Sequence, residues 1–246
     1  MSNIGKEFRL AEFFDRADNR TIILDTSSLA SVGLAQDMAK SWERLDEVAG
    51  QFDALIVSAA QINRLSEKFN GSTFIARLDW TNLFRMDSFV LPPTEIKHIP
   101  IVDPDDIFSF GATAAVCYLL FGYDEEIEAK MIEYISGITR ACYKSGIPLL
   151  VDIYPNGPKI TRVNFDASVV LASSMMQEAG VDVLIVPPIS AEKIKEMQRF
   201  IKIPILGRAE TKKDSGFFID NNCPGVCLSL KTSIEEIPDI RKIVHK

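Results

Sequence analysis

Histidine is almost missing from this chain. His98 and His245 are the only two in 246 residues, and their spacing suits no metal site. Cysteine is scarce too. Cys117 falls in an apolar stretch, Cys142 in a helical one, and Cys223 and Cys227 flank Pro-Gly. A zinc centre needs a fuller set of nitrogen and sulfur ligands, so no metal is expected, and the thiols read as reduced cysteines of a cytoplasmic protein. Positive charge is in deficit: 27 Lys and Arg stand against 34 Asp and Glu, a net charge of -7. Binding to nucleic acid through its phosphates needs a basic face, so no nucleic-acid partner is expected. No apolar run reaches the roughly 18 residues of a membrane span, so no membrane partner is expected either. The opening "MSNIGKEFRLAEFFDRADNR" is amphipathic and carries acidic residues, which suits neither a signal peptide nor a transit peptide. The glycine-rich G-x-G-x-x-G turn of dinucleotide-binding sheets is missing from "DTSSLASVGL", after the first aliphatic run.

What the sequence does hold is a regular alternation. Aliphatic runs at 21–25, 54–59, 73–79, 114–120, 148–154, 181–187, 204–209 and 225–230 read as eight strands. Helical spacing occupies 38–51, 60–69, 124–146, 166–180, 190–201 and the segment from Ser233 onward. The 124–146 run is acidic in its first turn, basic in its last and stopped by glycine. A proline-broken connection follows the third strand and leads into a short helix at "DPDDIFSFG". The segment after the seventh strand is short and polar, with little helical pattern. Eight strands mostly separated by helices predict a (β/α)8 TIM barrel with an N-terminal capping helix, as a single domain over 1–246.

Barrel sites form at the C-terminal ends of the strands, and residues two apart share a face. This rule selects Asp25 and Ser27 on the first strand, with Ser28 just beyond. It selects Arg77 and Asp79 on the third strand, and Asp152 and Tyr154 on the fifth. Arg208 and Glu210 end the seventh, and Ser229 ends the eighth, with Lys231 beyond. A carboxylate beside a phenol suits proton transfer, so Asp25, Asp79, Asp152 and Tyr154 are the candidate catalytic groups. Ser27, Ser28, Arg77, Arg208 and Lys231 are the candidate substrate-binding groups. The same aspartates and arginine also suit a structural ion-pair network, because buried charges must be paired. Lysines in "GPKI" and "TKKD" are either anion ligands or solvated loop residues.

Several longer stretches carry a resemblance. "IGKEFRLAEFFDRADNRTIIL", "DPDDIFSFGATAAVCYLLFGYDEEIEAKMIEYISGITRACYKSGIPLL", "IYPNGPKI" and "FDASVVLASSMMQEAGVDVLIV" resemble segments of the archaeal-type class I fructose-bisphosphate aldolases. They are similar also to the related 2-amino-3,7-dideoxy-heptulosonate synthases. The resemblance covers nearly the whole chain and implies the aldolase barrel, a small-molecule ligand at its C-terminal face, no cofactor, and assembly into homo-oligomers. Members hold a Schiff-base lysine on strand six; in "VDVLIVPPIS" the matching position is Ile185. Lys193 and Lys195 are the nearest alternatives, and both fall on the following helix. Ser27, Ser28 and Leu29 stand at an Asp-His-Gly, while the tyrosine after strand five is kept as Tyr154. The paired phosphate-binding glycines after strand seven fall near Ala209 and Glu210, and a Gly-Arg falls near Ser229 and Leu230.

An iminium needs an amine, and a glutamate repels phosphate. The resemblance therefore predicts a divergent aldolase-like barrel without lysine chemistry. It runs altered lyase or acid–base chemistry on a small polar metabolite, or binds one. The alternative is a non-catalytic subunit that assembles with itself or with an active paralogue.

Overall fold

The computed structural model describes residues 3–33, 40, 42–69, 71–85 and 87–246. Eight parallel strands close into a barrel: β1 (Thr21–Asp25), β2 (Ala54–Ser58), β3 (Thr73–Arg77), β6 (Ala114–Phe121), β7 (Leu149–Pro155), β8 (Val183–Val186), β9 (Ile205–Ala209) and β10 (Gly225–Ser229). They follow one another around the barrel in chain order, and β10 pairs with β1 to close it. Most residues of these strands are buried, which is why they read as aliphatic runs rather than as alternating ones.

Two apolar layers result. Ile23, Ile56, Ile75, Val116, Ile185 and Leu206 point inward and form a cluster separate from the larger one between barrel and helices. Phe13 and Phe14 belong to the inner cluster and close it from the side on which the strands begin. They follow the N-terminal helix Ile4–Leu10. That helix is tied down by Lys6, whose ammonium lies 2.7 Å from Asp182, and by Arg9, which donates to the Gly146 carbonyl at 2.9 Å. The expected capping helix is thus present.

The remaining strands, β4 (Asp79–Thr81) and β5 (His98–Pro100), make an antiparallel pair outside the barrel, within the proline-broken connection. The expected third strand, 73–79, therefore breaks at Leu78. The Leu78 N–H makes a last bond to Val116, and the chain then turns away into β4. Of the expected helix at 38–51, residues 38, 39 and 41 lie outside the described residues, and a 3-10 helix spans Leu45–Gln51.

One segment departs from its expected character. After β9 the chain forms a helix, Lys212–Asp220, that buries Ser215, Phe218 and Ile219. A reciprocal cap starts it: Thr211 accepts from the Asp214 N–H, and the Asp214 carboxylate accepts from the Thr211 N–H. Gly207 on β9 makes room for this helix, since a Cβ there would lie 2.0 Å from the Phe218 ring.

Candidate functional site

Above the inner apolar layer the strands carry charge. Arg77 ends β3 and is only 1 % exposed. Its Nη2 lies 2.9 Å from Asp25 Oδ2 and 3.7 Å from Asp152 Oδ2, and its Nε donates to Ser27 Oγ at 3.0 Å. Asp25 also accepts from the Ser27 hydroxyl at 2.6 Å and from the Ser27 N–H at 2.7 Å. Asp152, likewise 1 % exposed, pairs with Arg208, which donates in addition to the Ile153 carbonyl at 3.0 Å. Two guanidiniums and two carboxylates thus form one chain across the top of the barrel: Asp25, Arg77, Asp152, Arg208.

Each guanidinium also stacks on a phenol ring. Arg77 lies 3.7 Å from the Tyr118 centroid, and Arg208 lies 3.7 Å from that of Tyr154. Phe84, from the segment between β4 and β5, meets both rings edge-on at 5.4 and 5.2 Å. Neither phenol hydroxyl makes a hydrogen bond to a described residue.

Burial shapes the proton affinities here. It pushes the Asp152 carboxyl above its ordinary range, against the pull of Arg208 and then Arg77. It raises both the Tyr118 and the Tyr154 phenols, again against their stacked guanidiniums. Burial disfavours the charge on Arg77 and on Arg208, but the surrounding carboxylates outweigh it and keep both protonated.

A cavity of about 410 Å³ opens above this layer, at the C-terminal ends of the strands. Asp25, Tyr118, Tyr154 and Arg208 form its polar floor. Val32, Leu83, Phe84 and Phe89 form an apolar wall, and Ser28, Glu210, Ser229 and Lys231 stand around it. Eight of the nine selected residues therefore come together, either at the cavity or in the paired layer next to it: Asp25, Ser27, Ser28, Arg77, Asp152, Tyr154, Arg208 and Lys231. Lys231 reaches the cavity from the loop beyond β10.

Asp79 stands apart. Because the chain breaks at Leu78, its carboxylate accepts from the Tyr118 N–H at 2.7 Å and faces His98 Nε2 at 2.7 Å, on the outer side of β6. It does not line the cavity. Lys193 and Lys195 lie on the helix Ala191–Phe200, where Lys193 pairs with Glu196, and neither reaches the cavity. Tyr118, Leu83, Phe84 and Phe89 are lining residues that the sequence reading missed. Tyr118 had a signal: it shares the inward face of β6 with Ala114 and Val116, at a spacing of two.

A larger groove, about 760 Å³, lies on the outside between β5 and the helix Glu125–Ser145. Its lining shares no residue with the mouth cavity, though His98 in its wall contacts Asp79. The four cysteines are buried and free, and among the described residues no three His, Cys, Asp or Glu side chains converge to hold a metal ion. Nor is any helix among them long and apolar enough to cross a membrane.

A closed parallel barrel with a polar pocket at its strand ends defines a (β/α)8 architecture. A sequence-family model described as DeoC/LacD family aldolase matches residues 44–205, and the chain belongs to that family. Among solved structures it is similar to an archaeal fructose 1,6-bisphosphate aldolase, with a TM-score of 0.79 and 18% identity over 98% of each chain. It is similar also to the fructose-bisphosphate aldolase from Slackia heliotrinireducens, with a TM-score of 0.74 and 12% identity over 98% of this chain and 82% of that one. The N-acetylmannosamine-6-phosphate 2-epimerase from Clostridium perfringens is more distant, with a TM-score of 0.55 and 12% identity over 95% and 93% of the two chains. At these identities the likeness is one of fold.

Proposed function

We propose that this aldolase-family barrel takes a small metabolite with a polar head at its C-terminal mouth. It acts on that head by acid–base chemistry and forms no iminium. The observation that carries this reading is Ile185. It is fully buried in the inner apolar layer, beside Asp152 in the register of β7 and β8, and the sequence resemblance aligns it with the family's Schiff-base lysine. An aliphatic side chain supplies no amine. Lys231 is the one lysine lining the cavity among the described residues, and it stands exposed on a loop. The polar groups of the cavity floor that remain are the Asp25 carboxylate, two phenols and the Arg208 guanidinium. Such a set moves protons and stabilises a developing oxyanion.

The test is borohydride reduction in the presence of dihydroxyacetone phosphate or fructose bisphosphate, followed by mass spectrometry. No covalent adduct is expected, and a stoichiometric adduct on Lys231 or any other lysine of the mouth refutes the reading. A thermal-shift screen of metabolites then looks for the ligand, which stabilises the fold by mass action.

One observation favours a second reading. The carboxylates and guanidiniums of the floor already pair with one another, so their presence is accounted for without a ligand. On that reading the chain is a non-catalytic subunit that assembles with itself or with an active paralogue. Sedimentation of the purified chain, alone and mixed with such a paralogue, tests it: a monomer that ignores the paralogue rules it out.

A further inference from the structure

Tyr118 is 2 % exposed, yet it lines the mouth cavity, and its hydroxyl has no hydrogen bond to a described residue. Tyr154, which is partly exposed, lines the same cavity and likewise has no hydrogen bond from its hydroxyl to a described residue, with its ring centroid 5.4 Å from that of Tyr118. Both hydroxyls therefore reach the cavity with their hydrogen-bonding capacity open to a ligand. The floor charges do not take up that capacity, since Asp25, Asp152, Arg77 and Arg208 are engaged with one another. A guanidinium over each ring face favours the phenol as a donor rather than as an acceptor. The structure therefore offers two neighbouring O–H donors to a ligand in one cavity.

The rest of the cavity says what kind of ligand that is. Phe84 packs edge-on against both phenols, and Phe89, Leu83 and Val32 also line the cavity. A sugar phosphate would lay its hydroxyls against this wall and find no partners there. Among the described residues, Glu210 adds an unpaired carboxylate to the cavity lining, which disfavours a second anionic group on the ligand, and Lys231 is the lining's one lysine.

We propose that the cavity takes a compound with an aromatic or branched aliphatic body and one carbonyl or carboxylate head. The head accepts hydrogen bonds from the Tyr118 and Tyr154 hydroxyls, and the body lies against Phe84 and Phe89. This rests on the small-molecule reading above and narrows it to a substrate class.

Titration calorimetry on the full chain tests the assignment, with phenylpyruvate and 4-methyl-2-oxopentanoate as probes. Fructose 1,6-bisphosphate and benzylamine serve as contrasts. At least one oxo acid should bind, and both contrasts should bind at least tenfold more weakly. Tyr118→Phe should weaken the oxo acid about tenfold, the upper range for one hydrogen bond. Phe89→Ser, on the partly exposed wall, tests the apolar contact independently should Tyr118→Phe fold poorly, and it too should weaken binding. Unchanged affinity in both variants overturns the proposal, as does a crystal structure with the probe in the outer groove against Glu125–Ser145. Tighter binding of fructose 1,6-bisphosphate at the mouth overturns the substrate class and leaves the small-molecule reading standing. Silence from all four probes together with an empty metabolite screen overturns both.

Discussion

Replacing Arg77 by methionine is the most informative single perturbation of the charged layer. The guanidinium is 1 % exposed and serves Asp25 at 2.9 Å, Ser27 at 3.0 Å, Asp152 at 3.7 Å and the Tyr118 ring at 3.7 Å. Methionine fills much of the volume but carries no charge. Asp152 keeps Arg208, whereas Asp25 is left with only the Ser27 hydroxyl and N–H. Breaking a buried pair so that one charge stays uncompensated costs about 3–5 kcal/mol. For a chain of this size that is a fall in Tm of roughly 6–20 °C. Urea unfolding measures it directly, as a lower midpoint with unchanged slope. Asp152→Asn is the companion variant. Burial holds the Asp152 carboxyl above its ordinary value of 3.8, so the folded chain takes up a proton more readily than the unfolded one. This group therefore adds stability as pH falls through the raised folded value, over a window lying wholly above 3.8, and subtracts it as pH rises. The difference in stability between wild type and Asp152→Asn should follow that sign. A loss below about 1 kcal/mol for Arg77→Met, within the range of ordinary surface changes, would refute the claim that the network supports the fold. A difference curve of opposite slope would refute the assignment of the raised carboxyl.

Tyr154→Phe should change stability by no more than about 0.5 kcal/mol, because its hydroxyl has no described partner to lose, and thermal melting checks this. Glu210→Gly should improve the weak binding of inorganic phosphate at the ends of β9 and β10. It removes a negative charge and frees the backbone, and titration calorimetry reads the change. Thr211→Ala should cost about 1 kcal/mol in urea unfolding, since it removes the acceptor of the Asp214 N–H. Gly207→Ala should cost about 1–3 kcal/mol by the same measurement, because its Cβ would enter the space of Phe218.

The barrel was legible because strands buried on both faces leave an unbroken aliphatic trace, and β1, β7 and β9 lie within a residue of the expected runs. Alternation was less informative where the chain bends. "TFIARLDW" keeps its two-residue period straight through Leu78, so nothing in it marks that Arg77 turns into the barrel while Asp79 turns out toward His98. The helix Lys212–Asp220 was hidden for a different reason. Its first five residues are polar or glycine, and its apolar face is compressed into Phe217, Phe218 and Ile219. The Thr211–Asp214 cap was the signal that could have revealed it. Tyr118 was absorbed into an apolar strand, and the wall of Phe84 and Phe89 depends on how a long connection folds back, which no local pattern encodes.

The chemistry open to this mouth follows from what can replace an amine. Aldol-type bond cleavage leaves an electron pair on carbon, and a protonated iminium is one sink for it. A guanidinium cannot take over as nucleophile, since it stays protonated, and the carboxylates hold Arg77 and Arg208 more firmly so. What guanidiniums and phenols can do is stabilise the pair as an enolate oxyanion, the guanidiniums through charge and the phenols through donated hydrogen bonds. Asp25 is the carboxylate that lines the same cavity, and it is the candidate to take the proton on this route. Enolisation of a carbonyl compound demands only these two roles, whereas cleavage also demands that the second fragment be held and released. The apolar wall offers that fragment no polar contact. The geometry therefore favours proton transfer next to a carbonyl over carbon–carbon scission. Exchange of the α-protons of a bound oxo acid for deuterium, followed by proton NMR, distinguishes the two: exchange without cleavage is expected, and its loss in Asp25→Asn with binding retained would identify the base. Cleavage products without prior exchange would refute the argument.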